Sequence, residues 1–205
     1  MRDRRACERR VYRLAALLSG NPIAAANVIQ AVLDAQPKLE TLDSTHMDRL
    51  TVLRAREIAP GRIVDDRVPS RTAEALAGLS PQQREAWVFV HVYKVPVREA
   101  ARAMDCSVTA ITNHLSQANE AMEHALSARD ENDGGELKVT TQDDAAAVFR
   151  RWAMAIDVPA FVRREQARRR RFRMLLVAAG VVLAVAVVVG VVWLVRELGG
   201  GAGAG

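Results

Sequence analysis

Apolar residues recur at helical spacing through most of the chain, and this pattern predicts an all-α fold. A first stripe ends at Gly20 and consists of Val11, Leu14, Ala15 and Leu18. A second helix is predicted to begin at Asn21-Pro22, because Asn is a good N-cap and Pro suits the first helical position. Its apolar stripe runs from Ala24 to Leu33, and Pro37 stops it.

A third helix is predicted over Thr45–Ile58. Its inner side is expected to carry Met47, Leu50 and Leu53. Thr45 and Asp48 have the spacing of a capping box, with Asp in place of the usual Glu or Gln. Pro60-Gly61 closes this unit, and the segment Ala59–Arg71 has the composition of a linker.

A second helical unit follows the linker. A short helix is predicted over Thr72–Ala77, with Gly78 after it. Ser80-Pro81 then starts a stronger helix, since Ser caps, Pro sits first and Gln83 completes a capping box. The apolar face expected for this helix is formed by Ala86, Trp87, Val90 and Tyr93.

The last two helices of this unit have the pattern of a helix-turn-helix. Pro96 starts a short helix, Val97–Met104, and Asp105-Cys106 makes a tight turn. Ser107 caps the final helix, whose expected inner stripe is Val108, Ile111, Leu115, Ala118 and Met122. The outward residues at the start of that helix would face the major groove of DNA. These candidate DNA-binding residues are Ser107, Thr109, Ala110, Thr112, Asn113, Ser116 and Gln117.

A polar, glycine-containing segment after Ser127 separates this unit from another amphipathic helix. Thr141 is expected to cap that helix, which would end near Asp157. One side of it carries Val148, Phe149, Trp152 and Ile156. Three arrangements suit this pattern: packing on the other helices, lying at a membrane surface, or pairing with a second copy.

The stretch Met174–Val195 contains no charged residue and has the length of a membrane span. Seven arginines precede the span from Arg163 onward, and one, Arg196, follows it. Because cytoplasmic flanks carry the excess of basic residues, we expect a single-pass protein of the cytoplasmic membrane with its N-terminal head in the cytoplasm. The arginines predicted to meet lipid headgroups are Arg168, Arg169, Arg170, Arg171 and Arg173.

The net charge of +5 would suggest a nucleic-acid-binding protein, but the positive charge is not spread evenly along the chain. The residues up to Val162 carry 21 basic and 22 acidic side chains, so the excess of positive charge belongs to the neck before the span. Cys7 and Cys106 stand alone, and the histidines lack zinc-ligand spacing with them. The sequence therefore predicts no metal site, no cofactor and no catalytic residue, and enzyme classes are disfavoured.

Leu79–Met122 resembles the fourth conserved region of sigma factors, and within the sigma-seventy family it is most similar to the extracytoplasmic-function group. The resemblance lies in the opening Leu-Ser-Pro-x-Gln-Arg-Glu, a Val-Arg-Glu-Ala-Ala helix, a Cys-Ser turn, and Leu115 with Ala118. Tyr12–Leu33 resembles the second conserved region of the same family. The residues that match there are Gly20, Pro22, Ala25, Gln30 and Val32.

The resemblance implies two DNA- and polymerase-binding domains. The first would bind core RNA polymerase through Ala24, Asn27, Gln30 and Ala31, and the second would bind promoter DNA. An anti-sigma or other regulatory protein and lipid of the inner membrane are further expected partners. The predicted organisation is a region-two-like helical domain (1–58), a linker (59–71), a region-four-like helix-turn-helix domain (72–127), a linker (128–140), an amphipathic helix and basic neck (141–173), one transmembrane helix (174–195) and a flexible tail (196–205).

Departures from the family pattern leave three interpretations open. Acidic residues that the family carries near Ala24 and Ala31 are absent, and no Lys or Arg lies between Thr112 and Asn119. The first interpretation is a membrane-tethered, sigma-factor-like regulator released by proteolysis near Val158–Arg173. The alternatives are a degenerate sigma-like interaction module without promoter recognition and a membrane-bound helix-turn-helix activator that acts without polymerase.

Overall fold

The computed structural model of the chain describes residues 3–127, 139 and 141–162. Within this part the regular structure is helical. The α-helices are α1 (Arg4–Ser19), α2 (Pro22–Ala35), α3 (Ser44–Ala55), α4 (Ser70–Ala77), α5 (Pro81–Trp87), α6 (Val97–Met104), α7 (Val108–Ser127) and α8 (Gln142–Ala155). A 3₁₀ turn covers Leu39–Thr41, and a π-helical turn covers Val88–Val92.

The predicted helix starts are confirmed where a capping residue marks them. The Asn21 side chain accepts from the Ile23 amide at 2.8 Å, with Pro22 in the first helical position. At α5, Ser80 and Gln83 form both hydrogen bonds of the predicted capping box. Thr141 caps α8 as predicted. Local side-chain chemistry therefore sets these boundaries.

For α3 the predicted capping residue is wrong, and of the predicted inner face only Met47 is fully buried. Asp43 is the N-cap, accepting from the His46 amide at 2.8 Å. The Asp48 carboxylate instead forms a two-pronged ion pair with Arg10 of α1, at 2.8 and 2.6 Å, and is buried. Leu53 is 40% exposed and Leu50 is half-buried. Because this buried pair faces α1, the helix turns Met47, Asp48, Thr51, Val52 and Ala55 inward.

The apolar face predicted after α5 is displaced by the π-helical turn. Its wider backbone turn changes the spacing at which side chains face the core. Val88, Phe89 and Val92 are buried as a result, whereas Val90, expected inside, is half-buried. Lys94, two residues after the turn, has a positive φ of 54°.

The chain divides into a compact unit, Met1–Pro159, here called the head, and a second unit, Ala160–Gly205. Within the head, α1–α3 form an N-terminal lobe and α4–α7 form a helix-turn-helix lobe, and α3 packs on α6. The connection between the lobes is itself packed, since Ile63 and Val68 are buried. Helix α4 begins at Ser70, inside the segment predicted as linker.

Gly20 is required where α1 meets this connection. Its φ is +69°, in the left-handed region that favours glycine. A Cβ at this position would lie 2.1 Å from the Gly61 carbonyl oxygen. The Gly61 amide donates to the Ser19 carbonyl at 2.7 Å, which holds the connection against the end of α1.

Several arginine side chains donate to backbone carbonyl oxygens near the end of a helix other than their own. These carbonyls lack partners within their own helix, and the negative end of the helix dipole favours a cation there. The arginines that bind in this way are Arg13, Arg56, Arg71, Arg84 and Arg150. Elements distant in sequence are thereby joined through backbone atoms.

Helix α8 packs on the other helices of the head, which is the first of the three arrangements considered for it. Val148, Phe149 and Trp152 are buried as predicted, and Ile156 is half-buried. The Phe149 ring meets Trp87 edge to face, with ring centroids 5.9 Å apart. The head therefore includes a helix from beyond the predicted helix-turn-helix domain.

His91 lies between α7 and α8, and it supplies a pH-dependent contribution to stability. Burial lowers the pKa of the imidazole, and Lys94 lowers it further, while Asn119 at 3.0 Å and Asp143 oppose the shift. A base whose folded pKa lies below its unfolded value, about 6.5, stabilises the fold above that pH and loses the contribution as pH falls through the folded pKa.

We therefore expect the urea midpoint of unfolding to fall between pH 7 and 5 in the wild-type chain. In His91→Gln the decrease should be smaller, because glutamine keeps a hydrogen-bonding side chain but does not titrate. His46→Gln is the matched control, since His46 is exposed. Equal pH profiles for His91→Gln and wild type would contradict this role.

No helix among the described residues is long and apolar enough to cross a membrane. The predicted span, 174–195, lies outside the part of the chain that the structure describes.

Candidate nucleic-acid interface

The predicted helix-turn-helix is present as α6, a three-residue turn and α7. Asp105 adopts a left-handed conformation, with φ 56° and ψ 46°, and ends α6. The Cys106 amide donates to the Ala101 carbonyl at 3.0 Å. Ser107 then caps α7, its Oγ accepting from the Ala110 amide at 3.1 Å. The turn and the cap thus agree with the sequence prediction.

Small side chains allow the two helices to cross closely. Ala100 and Ala101 of α6 are buried. On α7 the buried residues are Ile111, Ala118, Met122 and Leu126. Val108 and Leu115 were also predicted inside. Val108 is 47% exposed, and Leu115 is half-buried. They lie at the edges of the buried stripe, whose centre passes through Ile111 and Ala118.

The candidate DNA-binding residues share one outward surface. Ala110 is half-buried, and the others are exposed: Ser107, Thr109, Thr112, Asn113, Ser116 and Gln117. Gln117 accepts from Gln83 of the α5 capping box at 3.1 Å, which restrains its side chain. The Thr112 hydroxyl donates to the Val108 carbonyl at 2.8 Å. The described part of the chain holds no partner for the Asn113 side chain, which leaves its amide available to a base edge.

Arg98 and Arg102 add positive charge that the sequence reasoning missed. Both lie exposed on α6, four residues apart and so on one face, and neither has an ion-pair partner among the described residues. The first helix of a helix-turn-helix crosses the DNA backbone, where arginines can bind phosphates. The i, i+4 spacing was the available signal, but the sequence prediction assigned the DNA contacts to the last helix and its cap alone.

An acidic residue in the turn is neutralised by the N-terminal lobe. Arg49 of α3 lies 2.9 Å from the Asp105 carboxylate. Deeper in the same interface, Arg56 forms a two-pronged pair with buried Glu85 at 2.8 and 2.6 Å. Burial raises the pKa of Glu85, while hydrogen bonding to Arg56 opposes the increase. The negative charge of these two carboxylates is thus offset beside the turn.

The candidate polymerase-binding residues lie on α2. Asn27 is exposed, while Ala24, Gln30 and Ala31 are half-exposed. Ile23, at the start of the same helix, is 70% exposed. The face therefore presents a mixed, weakly polar surface. The candidate lipid-binding arginines, Arg168–Arg171 and Arg173, lie outside the described residues.

No group of three potential metal ligands occurs among the described residues. The chemical groups that the candidate interface offers are amides, hydroxyls and guanidinium groups. Such groups can bind bases and phosphates.

The fold and this interface define a helical protein of the helix-turn-helix class. The family model for sigma-70, region 4 matches residues 71–122, which contain α4–α6 and most of α7. This match confirms the predicted resemblance to sigma factors of the sigma-seventy family over that segment. The resemblance of Tyr12–Leu33 to the second region stays a prediction.

Among solved structures, the chain is similar to the sigma factor RpoE from Bartonella quintana, described in complex with the anti-sigma factor NepR. The sequences are 18% identical and the TM-score is 0.48. The alignment covers 61% of this chain and 94% of that chain. No curated protein matches the sequence.

Proposed function

We propose that this protein is a membrane-tethered, sigma-factor-like regulator of transcription initiation that binds DNA through α6 and α7. The observation that carries the proposal is the exposed outer face of α7, which lies within the segment matching sigma-70, region 4. The match is to a family of transcription factors, and a non-catalytic role agrees with it. The proposal is tested first by selecting duplexes from a random pool with the 205-residue chain in mild detergent.

Arg98 and Arg102 are expected to bind phosphates in this complex. Each phosphate contact contributes about one unit to the slope of log affinity against log salt concentration. Arg98→Ala/Arg102→Ala should therefore reduce the slope by about two and weaken binding to all sequences alike. The measurement is fluorescence anisotropy of a selected duplex over a salt series.

The matched control is Arg5→Ala/Arg151→Ala, which removes the same charge from two exposed arginines on α1 and α8. That control should change the salt slope by much less. Equal slopes for the two double variants would mean that α6 does not contact the DNA backbone.

Asn113 is expected to read a base. An asparagine amide can pair with the edge of adenine, and a good pair of this kind contributes about 1–3 kcal/mol of discrimination. Asn113→Ala should thus relax the preference at one base position in the selection while leaving the salt slope unchanged. Ser127→Ala, at an exposed position at the other end of α7, is the control and should keep the preference. An unchanged preference in Asn113→Ala would remove this residue from the reading surface.

Core RNA polymerase is the second proposed partner, through Ala24, Asn27, Gln30 and Ala31 on the outer face of α2. Support comes from the outward placement of these residues and from the resemblance of Tyr12–Leu33 to the polymerase-binding region of the family. Co-elution of the chain with core polymerase on size exclusion tests it, with Asn27→Arg expected to abolish the complex. Arg151→Glu, at an exposed position on α8, is a control that should bind as wild type does.

The membrane part of the proposal comes from the sequence. The uncharged stretch 174–195 would anchor the head at the cytoplasmic face, and the arginines before it would meet anionic headgroups. Cleavage between Val158 and Arg173 would release the head, and an anti-sigma or other regulatory protein would restrain it. A protein that stays uncut and membrane-bound under every envelope stress would contradict release.

A second candidate function is a protein-interaction module without promoter recognition. It is favoured by the charge of residues 72–128, which hold four basic and six acidic side chains. Phosphate contacts supply much of the affinity for DNA, and this segment has few basic side chains to make them. Absence of duplex binding at low salt by a folded chain that still co-elutes with a protein partner would support this function over the first.

A further inference from the structure

Helix α8 contacts both lobes of the head, one at each of its ends. At its start, the Gln142 side chain donates to the Asn119 carbonyl of α7 at 3.1 Å. At its end, the carbonyls of Met154 and Ile156 accept from Arg13 of α1 at 2.7 and 3.3 Å. A single helix therefore connects the helix-turn-helix lobe to the N-terminal lobe.

The middle of α8 carries the apolar part of this connection. Phe149 and Trp152 are both buried. Phe149 packs edge to face on Trp87 of the helix-turn-helix lobe. Trp152 donates through Nε1 to the Asp65 carboxylate, 3.0 Å away in the segment between the lobes. These two side chains anchor α8 at the point where the lobes meet.

Direct contact between the lobes combines the packing of α3 on α6 with polar groups, among them the buried guanidinium of Arg84, which donates to the Leu18 carbonyl of α1. Arg49 and Asp105 form a solvent-exposed pair between α3 and the turn. Arg56 pairs with Glu85 and also donates to the Met104 carbonyl at 3.0 Å. The exposed Arg49–Asp105 pair contributes little to stability and is screened by salt. The apolar anchors of α8 thus add a kind of attraction that these pairs do not supply.

The helix is also of a kind that can detach without unfolding the rest. It has 14 residues, and an isolated helix of that length is marginal in water. The exposed side of α8 carries Asp143, Asp144, Arg151 and Met154. Elements with one packed face can open locally at a lower free energy than global unfolding.

We propose that α8 is a detachable strap on which the pairing of the two lobes depends. While the strap is seated, the face of α2 and the face of α7 are held in one fixed arrangement. When it leaves, the lobes separate, although each keeps its helices. This role does not depend on what either face binds.

The test measures the distance between the lobes by double electron–electron resonance on the 205-residue chain in detergent. Spin labels are placed at Lys38→Cys and Ser116→Cys, both exposed positions, after Cys7→Ala and Cys106→Ser remove the native thiols. The wild-type strap should give one narrow distance distribution. Phe149→Ala/Trp152→Ala should add a second, longer and broader population, with the helical circular dichroism of the lobes retained.

Met154→Ala is the matched control, because its side chain is 66% exposed on the same helix. It should reproduce the wild-type distribution. If Phe149→Ala/Trp152→Ala loses helicity throughout, the milder Arg13→Ala/Gln142→Ala variant is measured, since it removes only hydrogen bonds at the two ends. A single wild-type distribution in the folded variant, with rapid hydrogen exchange across 142–155 showing that α8 has detached, would overturn the proposal.

Discussion

Replacing Arg84 with alanine is expected to destabilise the head by about 3–5 kcal/mol, comparable to removing a large core side chain. Arg84 is 1% exposed, and its guanidinium donates to three carbonyls. These are Leu76 at the end of α4, Leu18 at the end of α1, and Gly61 in the connection, at 3.0, 3.0 and 3.1 Å. One buried side chain thus satisfies backbone acceptors from three separate elements.

The buried charge of Arg84 destabilises the head, but the hydrogen bonds and packing of the side chain stabilise it by more. Burial lowers the pKa of the guanidinium from its ordinary value to about 10, with no carboxylate bound to it among the described hydrogen bonds. Because the folded pKa lies below the unfolded one, the charge costs stability at every pH below about 10. Removing the side chain ends that cost but leaves buried acceptors without donors, each at about 1–3 kcal/mol, together with a cavity.

A comparison of variants separates these effects. Arg84→Met fills most of the space but donates no hydrogen bond, so it should lose about 2 kcal/mol or more from the unpaired carbonyls alone. Arg98→Ala is the control, because Arg98 is exposed without an ion pair and should change stability by less than about 0.5 kcal/mol. Urea unfolding followed by circular dichroism measures all three. If Arg84→Met is as stable as wild type, the carbonyl hydrogen bonds do not stabilise the head.

Short-range signals in the sequence predicted the local structure well. The limits of α6, Val97–Met104, agree with the prediction because Pro96 fixes the start and the Asp105 turn fixes the end. The capping box at Ser80 likewise needs only residues three apart. Such features depend on neighbours along the chain, and the sequence displays those neighbours directly.

Features that depend on distant residues could not be predicted in this way. Asp48 was interpreted as a capping residue, but its partner is Arg10, 38 positions earlier. The carbonyl contacts of Arg84 reach 66 positions along the chain. Backbone acceptors have no sequence signature, so an arginine bound to them looks like any surface charge. The π-helical turn also shifted a face that a regular 3.6-residue period had placed.

The candidate interface was predicted for the same local reasons, and only in part. Outward positions on α7 follow from helical spacing once its buried stripe is known, and six of the seven candidates are exposed. Arg98 and Arg102 were not assigned to the interface: their i, i+4 spacing places them on one face of α6, but the position of α6 beside α7 is visible only in three dimensions. The restraint on Gln117 by Gln83 spans 34 positions and is visible only in three dimensions.

A chain that ends at Ser127 is expected to be less stable than one that ends at Pro159 by about 4 kcal/mol or more. The shorter chain contains every helix of the predicted helix-turn-helix domain but lacks α8. Burial of each large apolar side chain contributes about 1.5–3 kcal/mol, and Val148, Phe149 and Trp152 are all buried in the head. The entropy of ordering α8 offsets part of this gain. Since small domains have total stabilities of about 5–15 kcal/mol, the loss is a large fraction of the whole.

The two truncated chains are compared by urea unfolding followed by circular dichroism, and a Trp152→Phe version of the longer chain gives the reference emission of Trp87. Without α8, the edge-to-face contact from Phe149 is lost, and Trp87 should emit at longer wavelength before any urea is added. In the longer chain, Phe149→Ala should reproduce much of the loss of stability, whereas Met154→Ala should not. Equal urea midpoints for the two truncated chains would show that α8 adds no stability to the head. The cleavage proposed between Val158 and Arg173 would lie after α8 and would leave this stabilising helix on the released head.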